Sequence, residues 1–296
     1  MMDILFLGTG CMQPTKNRNH SGILLSFKTE NILMDCGEGI QRQMRIAGVK
    51  PAKITKLLIS HWHGDHVFGI PGLLSTMGAD KPDKKLQIYG PIGTKKYMDH
   101  LVQSFSCKDL IDFEVIEVKQ GVIFEGEEFK LIAEPLKHSA LCVGYGFVEK
   151  DRRRINPVKA EKLGLFGPVL GKLQNGETVV FKGKKILPEE VSVIVKGKKL
   201  SYVADTVLCE GAERLAHNAD LLICKGTHLD DIKEKTEKYM HLTVKEAALI
   251  ASENNARQLV ITHISQRYKT PSEIREEAKI YFPDAIVAED FMRIKI

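Results

Sequence analysis

The chain has 296 residues, of which 43% are hydrophobic and 27% charged, and it carries a formal net charge of +5. These proportions are those of an ordinary globular protein, long enough for one large domain or two small ones. No apolar run approaches the roughly 20 residues needed to span a bilayer, so the sequence predicts no membrane segment.

Apolar runs typical of strands alternate with turns and helical segments along the whole chain. Strands are predicted at residues 4–7, 22–27, 31–35, 57–60, 86–89, 113–118, 128–133, 143–148, 191–195, 201–204, 221–224, 258–262 and 291–294. Helices are predicted at residues 38–47, 93–105, 209–217, 243–253 and 271–281, and a helix or its lead-in loop from residue 67. Short strands without a regular βαβ period predict an α/β fold of two packed sheets with helices outside. Residues 1–8 lack a basic stretch and a cleavage site, so they predict a first strand rather than a signal peptide.

One segment, residues 150–185, interrupts this rhythm. It contains ten lysines and arginines against three acidic residues, so its net charge is +7 and the rest of the chain sums to −2. Glycines and prolines break any long element within it. We therefore expect one domain over residues 1–296 with an inserted, projecting basic arm at 150–185 that contacts a polyanion. A solvated, disordered loop is the alternative interpretation.

Six cysteines lie at positions 11, 36, 107, 142, 209 and 224, and no two of them form a C-x-x-C pair. This spacing argues against a cysteine zinc site and favours free thiols in a reducing compartment. We therefore expect a cytoplasmic protein.

Four metal-capable side chains fall within six residues, directly after the predicted strand that ends at residue 60. They are His61, His63, Asp65 and His66. Imidazole nitrogens and carboxylate oxygens suit zinc and similar ions, and a strand end holds ligands rigidly while one side stays open. A lone histidine is usually a surface or hydrogen-bonded core residue, whereas this H-x-H-x-D-H cluster predicts a metal site.

Three further polar residues, His138, Asp205 and His263, each follow a predicted strand and so repeat the geometry of the cluster. Each alone is compatible with an ordinary surface residue, but together they supply enough ligands for two ions. Two neighbouring cations lower the pKa of a shared water from about 15.7 toward neutrality, which predicts a hydrolase.

The H-x-H-x-D-H pattern resembles the signature of the metallo-β-lactamase superfamily. That resemblance implies an αββα sandwich, two mixed sheets flanked by helices, and two zinc ions per subunit, although other divalent ions would also suit the ligands. It also implies a division of the ligands: the first metal takes His61, His63 and His138, the second takes Asp65, His66 and His263, and Asp205 bridges them.

Other stretches, spread over nearly the whole chain, are similar to ribonuclease Z, the tRNA 3′-processing endonuclease family. These are residues 7–10 (LGTG), 34–39 (MDCGEG), 241–243 (HLT), 262–268 (THISQRY) and, in the arm, 167–177. The resemblance implies an endoribonuclease that removes the 3′ trailer from precursor tRNA. It leaves a 3′-hydroxyl on the tRNA and a 5′-phosphate on the trailer. It also implies a homodimer in which one subunit's arm presents RNA to the other's active site.

The resemblance also assigns roles to individual residues. Asp65 would be the general base and His241 the general acid, and Ser265 and Arg267 would bind a phosphate. Cations of the arm would bind the RNA backbone and its shape, because the arm has few aromatic side chains for stacking. The arm residues that we assign to this contact are Arg152, Arg153, Arg154 and Lys172. The alternatives are a surface salt bridge for Arg267 and a helix flank for His241.

Residues 219–228 match a motif in which the family has a glutamate that partners the catalytic histidine, and Lys225 stands at that position. A carboxylate beside His241 would raise its pKa and favour the proton-donating form, whereas an ammonium would do the reverse. We therefore expect an enzyme weakened at this position. A natural variant that uses Lys225 directly on phosphate is the competing hypothesis.

Two other functions stay open. A two-metal phosphodiesterase or another small-ester hydrolase of the same fold would share the metal ligands without needing the arm. A non-catalytic RNA-binding relative would keep the fold and the arm, and Lys225 is the feature that favours it.

Overall fold

A computed structural model describes residues 1–80, 82, 84–106 and 111–296. Its strands are β1 (Asp3–Gly8), β2 (Gly22–Phe27), β3 (Glu30–Met34), β4 (Lys56–Leu58), β5 (Leu86–Pro91), β6 (Phe113–Val118), β7 (Gly121–Glu125), β8 (Phe129–Leu136), β9 (Cys142–Glu149), β10 (Arg152–Ile155), β11 (Val179–Phe181), β12 (Lys184–Ile186), β13 (Ser192–Val195), β14 (Lys199–Val203), β15 (Leu221–Lys225), β16 (Leu259–Thr262), β17 (Ile286–Val287) and β18 (Arg293–Lys295).

The helices are α1 (Ile40–Ile46), α2 (Gly64–Val67), α3 (Ile70–Asp80), α4 (Thr94–Gln103), α5 (Pro157–Lys162), α6 (Pro168–Gln174), α7 (Pro188–Val191), α8 (Glu210–Ala216), α9 (Lys233–Lys238), α10 (Val244–Glu253) and α11 (Ser272–Tyr281). Short 3₁₀ turns lie at Pro51–Lys53 and Asp230–Ile232. No helix among the described residues has both the length and the apolar character to cross a membrane.

Contacts divide the chain into two compact units. The first comprises Met1–Glu125, Leu131–Phe147 and Lys199–Ile296, and the second comprises Gly126–Lys130 and Val148–Lys198. The second unit includes the predicted basic arm. That the arm projects from a single domain stays a prediction.

Two seven-stranded sheets form the framework of the first unit. One has the order β18-β1-β2-β3-β4-β5-β6, and the other has the order β17-β16-β15-β14-β9-β8-β7. Pairing is antiparallel from β18 to β3 and parallel from β3 to β6, and β14, β15, β16 and β17 are also joined by parallel pairs. The sheets meet face to face, as the edge-on contact between Phe27 of β2 and Phe147 of β9 shows, with 5.1 Å between ring centroids.

Helices cover the outer faces of both sheets. Against the first sheet, α1, α3 and α4 bury Met44, Met77 and Met98 in one cluster with Leu57 and Ile88. Against the second, α8 contacts β14, and α10 contacts β15 and β16. The predicted two-sheet architecture with helices outside is therefore confirmed.

Parallel pairing decides where the polar strand ends lie. The carboxyl ends of parallel strands meet at one edge of a sheet, so residues that follow β3 and β4 are neighbours, as are those that follow β14, β15 and β16. Asp35 and His263, which directly follow β3 and β16, have φ angles of 57° and 64°. A left-handed backbone at a non-glycine residue is rare and marks a sharp turn of the chain there.

The second unit has a small apolar core of its own. Antiparallel pairs β10–β13 and β11–β12 combine with α5, α6 and α7, none of which exceeds seven residues. Asn156 caps α5, since its Oδ1 accepts from the backbone N–H of Lys159 at 3.2 Å. The buried side chains are Ala160, Leu165, Leu173, Val179, Ile186 and Val191.

Most of the elements predicted from periodicity are present within a few residues of the expected bounds, and the segment from residue 67 passes through a short turn into helix α3, which begins at Ile70. The sequence did not predict β7, β10, β11, β12 and β17, nor α2, α5, α6, α7 and α9. Cys107 lies outside the described residues, and the other five cysteines are free.

We predict that Leu173→Ala destabilises the second unit by about 2–5 kcal/mol, because it removes a fully buried side chain and leaves a cavity. Hydrogen exchange of the amides in Val148–Lys198 measures the effect. The matched control is Val180→Ala, at a side chain that is 74% exposed, which should change protection by less than about 0.5 kcal/mol. Equal effects of the two substitutions would contradict the assigned core.

Candidate metal centre

The segments that follow four strands bring the predicted ligands to one place in the first unit. His61 and His63 follow β4, and α2 carries Asp65 and His66. The other three follow strands of the second sheet: His138 follows β8, Asp205 follows β14 and His263 follows β16. All seven predicted ligands fall in groups whose ligand atoms lie within 4.8 Å of one another.

The first group consists of His61, His63 and His138. Nδ1 of His63 lies 3.1 Å from Nε2 of His61 and 3.2 Å from Nε2 of His138. Ligands of a tetrahedral ion with bonds of about 2.0–2.1 Å are about 3.3 Å apart. The three nitrogens therefore have the spacing of one face of a zinc site.

The second group consists of Asp65, His66 and His263. Oδ2 of Asp65 lies 3.4 Å from Nε2 of His66 and 3.3 Å from Nε2 of His263. These separations also match the edge of a tetrahedral site, so the second group fits an ion of the same kind.

Asp205 is shared by the two groups. Its Oδ2 lies 3.5 Å from Nε2 of His61, in the first group, and 3.2 Å from Nε2 of His66, in the second. Oδ1 is buried and has no hydrogen-bond partner among the described residues, although three side-chain nitrogens lie within 3.5 Å. A buried carboxylate oxygen without a hydrogen bond fits a place beside a cation.

Hydrogen bonds behind the histidines fix which nitrogen faces the centre. Nδ1 of His138 donates to the carbonyl of Met240 at 3.0 Å, which leaves Nε2 as the ligating atom. Nδ1 of His66 lies 2.7 Å from Oδ2 of Asp35 and leaves Nε2 facing the other ligands. Such outer contacts set the tautomer and the orientation of a ligating imidazole.

Asp35 is a functional residue that the sequence analysis missed. It is fully buried, and besides His66 it accepts from the backbone N–H of Ser60 at 2.8 Å, the Ser60 hydroxyl at 2.9 Å and the Tyr202 hydroxyl at 2.6 Å. Its carboxylate therefore connects the first sheet to the second as well as orienting a ligand. An acidic residue directly after an apolar strand was the available signal, the same signal that identified Asp205.

Burial keeps most of the histidines neutral. It lowers the pKa of His138 to about 4 and that of His263 to about 3, and burial together with His66 holds the pKa of His61 well below its usual value. Burial would raise the pKa of Asp205, but His263, Lys225 and His241 outweigh it and hold that pKa well below the usual range. Neutral imidazoles and an ionised carboxylate are the forms that bind a metal.

The pKa of His66 is shifted in the opposite direction. Burial and Lys225 would lower its pKa, but Asp35 and Asp65 outweigh them and raise it well above the usual value. The two carboxylates thus favour the protonated imidazole of His66, and metal binding at Nε2 competes with that proton.

A cavity of about 490 Å³ opens onto these ligands. It is lined by His63, Asp65, His138, Asp205 and His263, by the predicted His241, Ser265 and Arg267, and by Lys235, Lys238, Tyr239 and His228, among others. The sequence analysis assigned no role to the four residues of this last group. The lysines follow an (i, i+3) spacing on α9, a short helix that the sequence did not predict.

His241 is one of the residues that line this cavity. Its side chain is 15% exposed, and its Nδ1 lies 3.5 Å from Oδ1 of Asp205. The ring stands 5.2 Å from His138 and 5.5 Å from His263 between centroids. The structure therefore brings the predicted general acid next to both groups of ligands.

The ammonium of Lys225 contacts candidate metal ligands, and both it and His241 approach Oδ1 of Asp205. Its Nζ lies 3.2 Å from Oδ1 of Asp205, 3.1 and 3.2 Å from the two nitrogens of His66, and 3.9 Å from Oδ2 of Asp35. Its contacts within the described residues are thus with the metal ligands and not with His241. Buried carboxylates attract the ammonium there, a non-local effect that the motif alone does not reveal.

The predicted RNA contacts divide between the two units. Ser265 and Arg267 line the cavity, whereas Arg152, Arg153 and Arg154 lie on β10 of the second unit and Lys172 on α6. Arg153 is engaged within its unit, since it donates to Ser192 at 2.9 Å and to Glu189 at 3.1 Å. Arg152, Arg154 and Lys172 are exposed.

Comparisons with known proteins agree on the fold and the family. Residues 2–151 match the sequence model of a family described as "Anti-Pycsar protein Apyc1". Ribonuclease Z of Methanothermobacter thermautotrophicus is 40% identical over 298 residues, which cover 100% of this chain and 97% of that protein. Ribonuclease Z of Nocardia farcinica is 35% identical over 297 residues, which cover 99% and 97%.

Solved structures extend this result. Human tRNase Z, short form, has a TM-score of 0.74 at 28% identity, and the match covers 99% of both chains. The metallo-β-lactamase fold protein YhfI of Bacillus subtilis has a TM-score of 0.72 at 19% identity, covers 99% of this chain and 98% of its own, and supports the fold alone.

Two packed sheets with histidines and aspartates at their strand ends define a metal-dependent hydrolase of the metallo-β-lactamase fold. Over its full length the chain belongs to the ribonuclease Z family, and its residues 2–151 also fall within the family of the Apyc1 model. The predicted fold and family are confirmed.

We predict that Asp35→Asn lowers divalent-metal affinity by about 10- to 100-fold, because it weakens the contact that orients His66. Zinc titration of the chelator-treated protein measures it. Asp290→Asn is the matched control. Asp290 accepts from Asn19 and Thr9, does not line the cavity, and should leave the affinity unchanged. Equal loss in both variants would mean that the effect comes from general destabilisation.

Proposed function

We propose that this chain is an endoribonuclease that removes the 3′ trailer from precursor tRNA, leaving a 3′-hydroxyl on the tRNA and a 5′-phosphate on the trailer. The main support for the proposal is full-length similarity to ribonuclease Z. In addition, the candidate metal centre opens into a cavity that is lined by lysine and arginine side chains. Cations beside a metal centre suit a phosphodiester substrate.

Two divalent ions per subunit fit the residues present, and zinc is the first choice for imidazole and carboxylate ligands. When bound, such ions acidify water and neutralise charge on phosphate oxygens. The proposed ligands are His61, His63 and His138 for one ion, Asp65, His66 and His263 for the other, and Asp205 for both.

Asp65 and His241 are the proposed proton-transfer groups. Oδ2 of Asp65 faces His66 and His263, which leaves Oδ1 to accept a proton from the attacking water. As the bond between phosphorus and the 3′ oxygen breaks, His241 donates a proton to that oxygen. The tRNA then keeps the 3′-hydroxyl, and the new phosphorus–oxygen bond gives the trailer its 5′-phosphate.

Positive side chains at the cavity would hold the cleaved phosphate and its neighbours. Ser265 and Arg267 stay our first candidates because both line the cavity beside His263. Lys235 and Lys238 of α9 line the same cavity and add two charges for adjacent phosphates. Exposed cations of the second unit would bind phosphates of the RNA backbone farther from the cleaved bond. These cations are Arg152 and Arg154 on β10 and Lys172 on α6.

Three further parts of the proposal come from the sequence. Lys225 in place of the family glutamate would weaken the enzyme. A homodimer, implied by the family resemblance, would let one subunit's basic segment serve the other's cavity. Five free thiols favour a cytoplasmic location.

The rivals are a small-ester phosphodiesterase and a non-catalytic RNA-binding protein. A cavity of about 490 Å³ is large enough for a mononucleotide, so the first rival needs a direct test. The second would bind precursor tRNA without cutting it.

The main test incubates the chain with a tRNA that carries a 3′ extension, with and without a chelator, and maps both product ends. We expect metal-dependent release of the trailer. His241→Ala should lower the rate by about 10²- to 10⁴-fold. His217→Ala, at an exposed histidine outside this cavity, is the control and should cut at the normal rate. Binding without any cleavage would leave the RNA-binding rival.

A second test separates tRNA from small substrates. The double charge reversal Arg152→Glu and Arg154→Glu should weaken precursor tRNA binding. It should also make the binding less sensitive to salt: the slope of log affinity against log salt concentration should fall by about one for each phosphate that the variant no longer binds. Cleavage of bis-nitrophenyl phosphate should not change, since that substrate needs only the cavity. Arg153 is left intact because it bonds Ser192 and Glu189. Unchanged tRNA binding would argue against the basic segment as the RNA contact.

A further inference from the structure

Lys225 places a buried positive charge inside the metal centre. As the last residue of β15 it is held by parallel pairing with Thr262 of β16, and its side chain is only 2% exposed. Its Nζ lies 3.2 Å from Oδ1 of Asp205 and within 3.2 Å of both nitrogens of His66. Near-equal distances to both nitrogens place the ammonium over the imidazole ring, so the in-plane lone pair of Nε2 stays available.

These partners belong to the second group of ligands and to the residue that both groups share. A cation bound by Asp65, His66 and His263 would therefore lie against a fixed ammonium, and like charges at short range repel strongly in a buried site. The effect of Lys225 on the first group is weaker: burial lowers the pKa of His61 and the ammonium adds to that shift, but no hydrogen bond joins it to His61, His63 or His138 in the described part of the chain. Lys225 thus adds a positive charge to the second position, whose own ligands are two histidines and the carboxylate of Asp65, and not to the three histidines of the first.

A count of formal charges leads to the same conclusion. Three carboxylates that are at most 9% exposed, those of Asp35, Asp65 and Asp205, supply the negative charge of the centre. One divalent cation and the ammonium together carry three positive charges and balance them. Two divalent cations and the ammonium would carry five. Unbalanced buried charge is costly, so the second cation binds less readily.

We propose that Lys225 is a built-in cation at the second metal position, so that the centre holds one divalent ion tightly and a second only weakly. The tight ion belongs to His61, His63 and His138. The inference rests on the proposed metal-dependent function, but it concerns ion binding and can be tested without RNA. A wrong inference about ion binding and a wrong assignment of the tRNA activity would therefore give different experimental results.

The experiment titrates zinc into the chelator-treated full chain and counts the ions that remain after gel filtration. We expect one ion per chain. Lys225→Met removes the charge at nearly constant size and should retain two, with second-site affinity raised roughly 10- to 100-fold, the range typical of outer-sphere changes at metal sites. Lys225→Glu supplies a fourth carboxylate and should also retain two, whereas Lys225→Arg keeps the charge and should retain one.

Lys56→Met is the matched control, because Lys56 is also buried but pairs with Glu30 at 2.7 Å, and it should retain one ion. Circular dichroism checks that each variant is folded, and if Lys225→Met is not, Lys225→Glu and Lys225→Arg decide between the outcomes. Two tight ions in the unaltered chain, or one ion regardless of the charge at position 225, would overturn the proposal.

Discussion

The carboxylate of Asp205 is the group on which the whole centre depends. Its two oxygens lie within 3.5 Å of five nitrogen-bearing side chains, and these come from both sheets. Those side chains are His61, His66, Lys225, His241 and His263. Because so many cationic or metal-binding groups converge on one buried carboxylate, its ionised form is strongly favoured. The strand ends position these side chains, and the negative charge of Asp205 stabilises their close approach.

Asp35 plays the complementary part behind the ligands. It receives hydrogen bonds from Ser60 after β4 and from Tyr202 of β14, and so joins the two sheets at the point where His66 must be oriented. The left-handed backbone at Asp35 is the local cost of turning the chain there. Asp35 thus both connects the two sheets and orients His66, so a substitution at this residue affects both.

The predicted ligand residues lie together in the structure because they follow a local rule. Each ligand lies just after an apolar strand, and strand ends of two packed sheets meet at one place. Two parts were not predictable in this way. The strand β10 consists of three arginines and one isoleucine and lacks the apolar alternation that signals a sheet, and Lys225 reaches its partners through the interior, where only tertiary structure defines distance. Local patterns reveal where a chain turns, but not which buried side chains then meet.

At position 225 the backbone and the side chain have separate effects on this centre. Parallel pairing with β14 and β16 fixes where the last residue of β15 lies, whatever side chain it carries. The side chain then sets the charge beside ligands whose spacing is already determined by other strands. The backbone positions of the ligands therefore belong to the strand framework, and this chain shares its fold with a structure that is 19% identical. The number of cations that the geometry accepts belongs to the local charge, and one substitution is enough to change it.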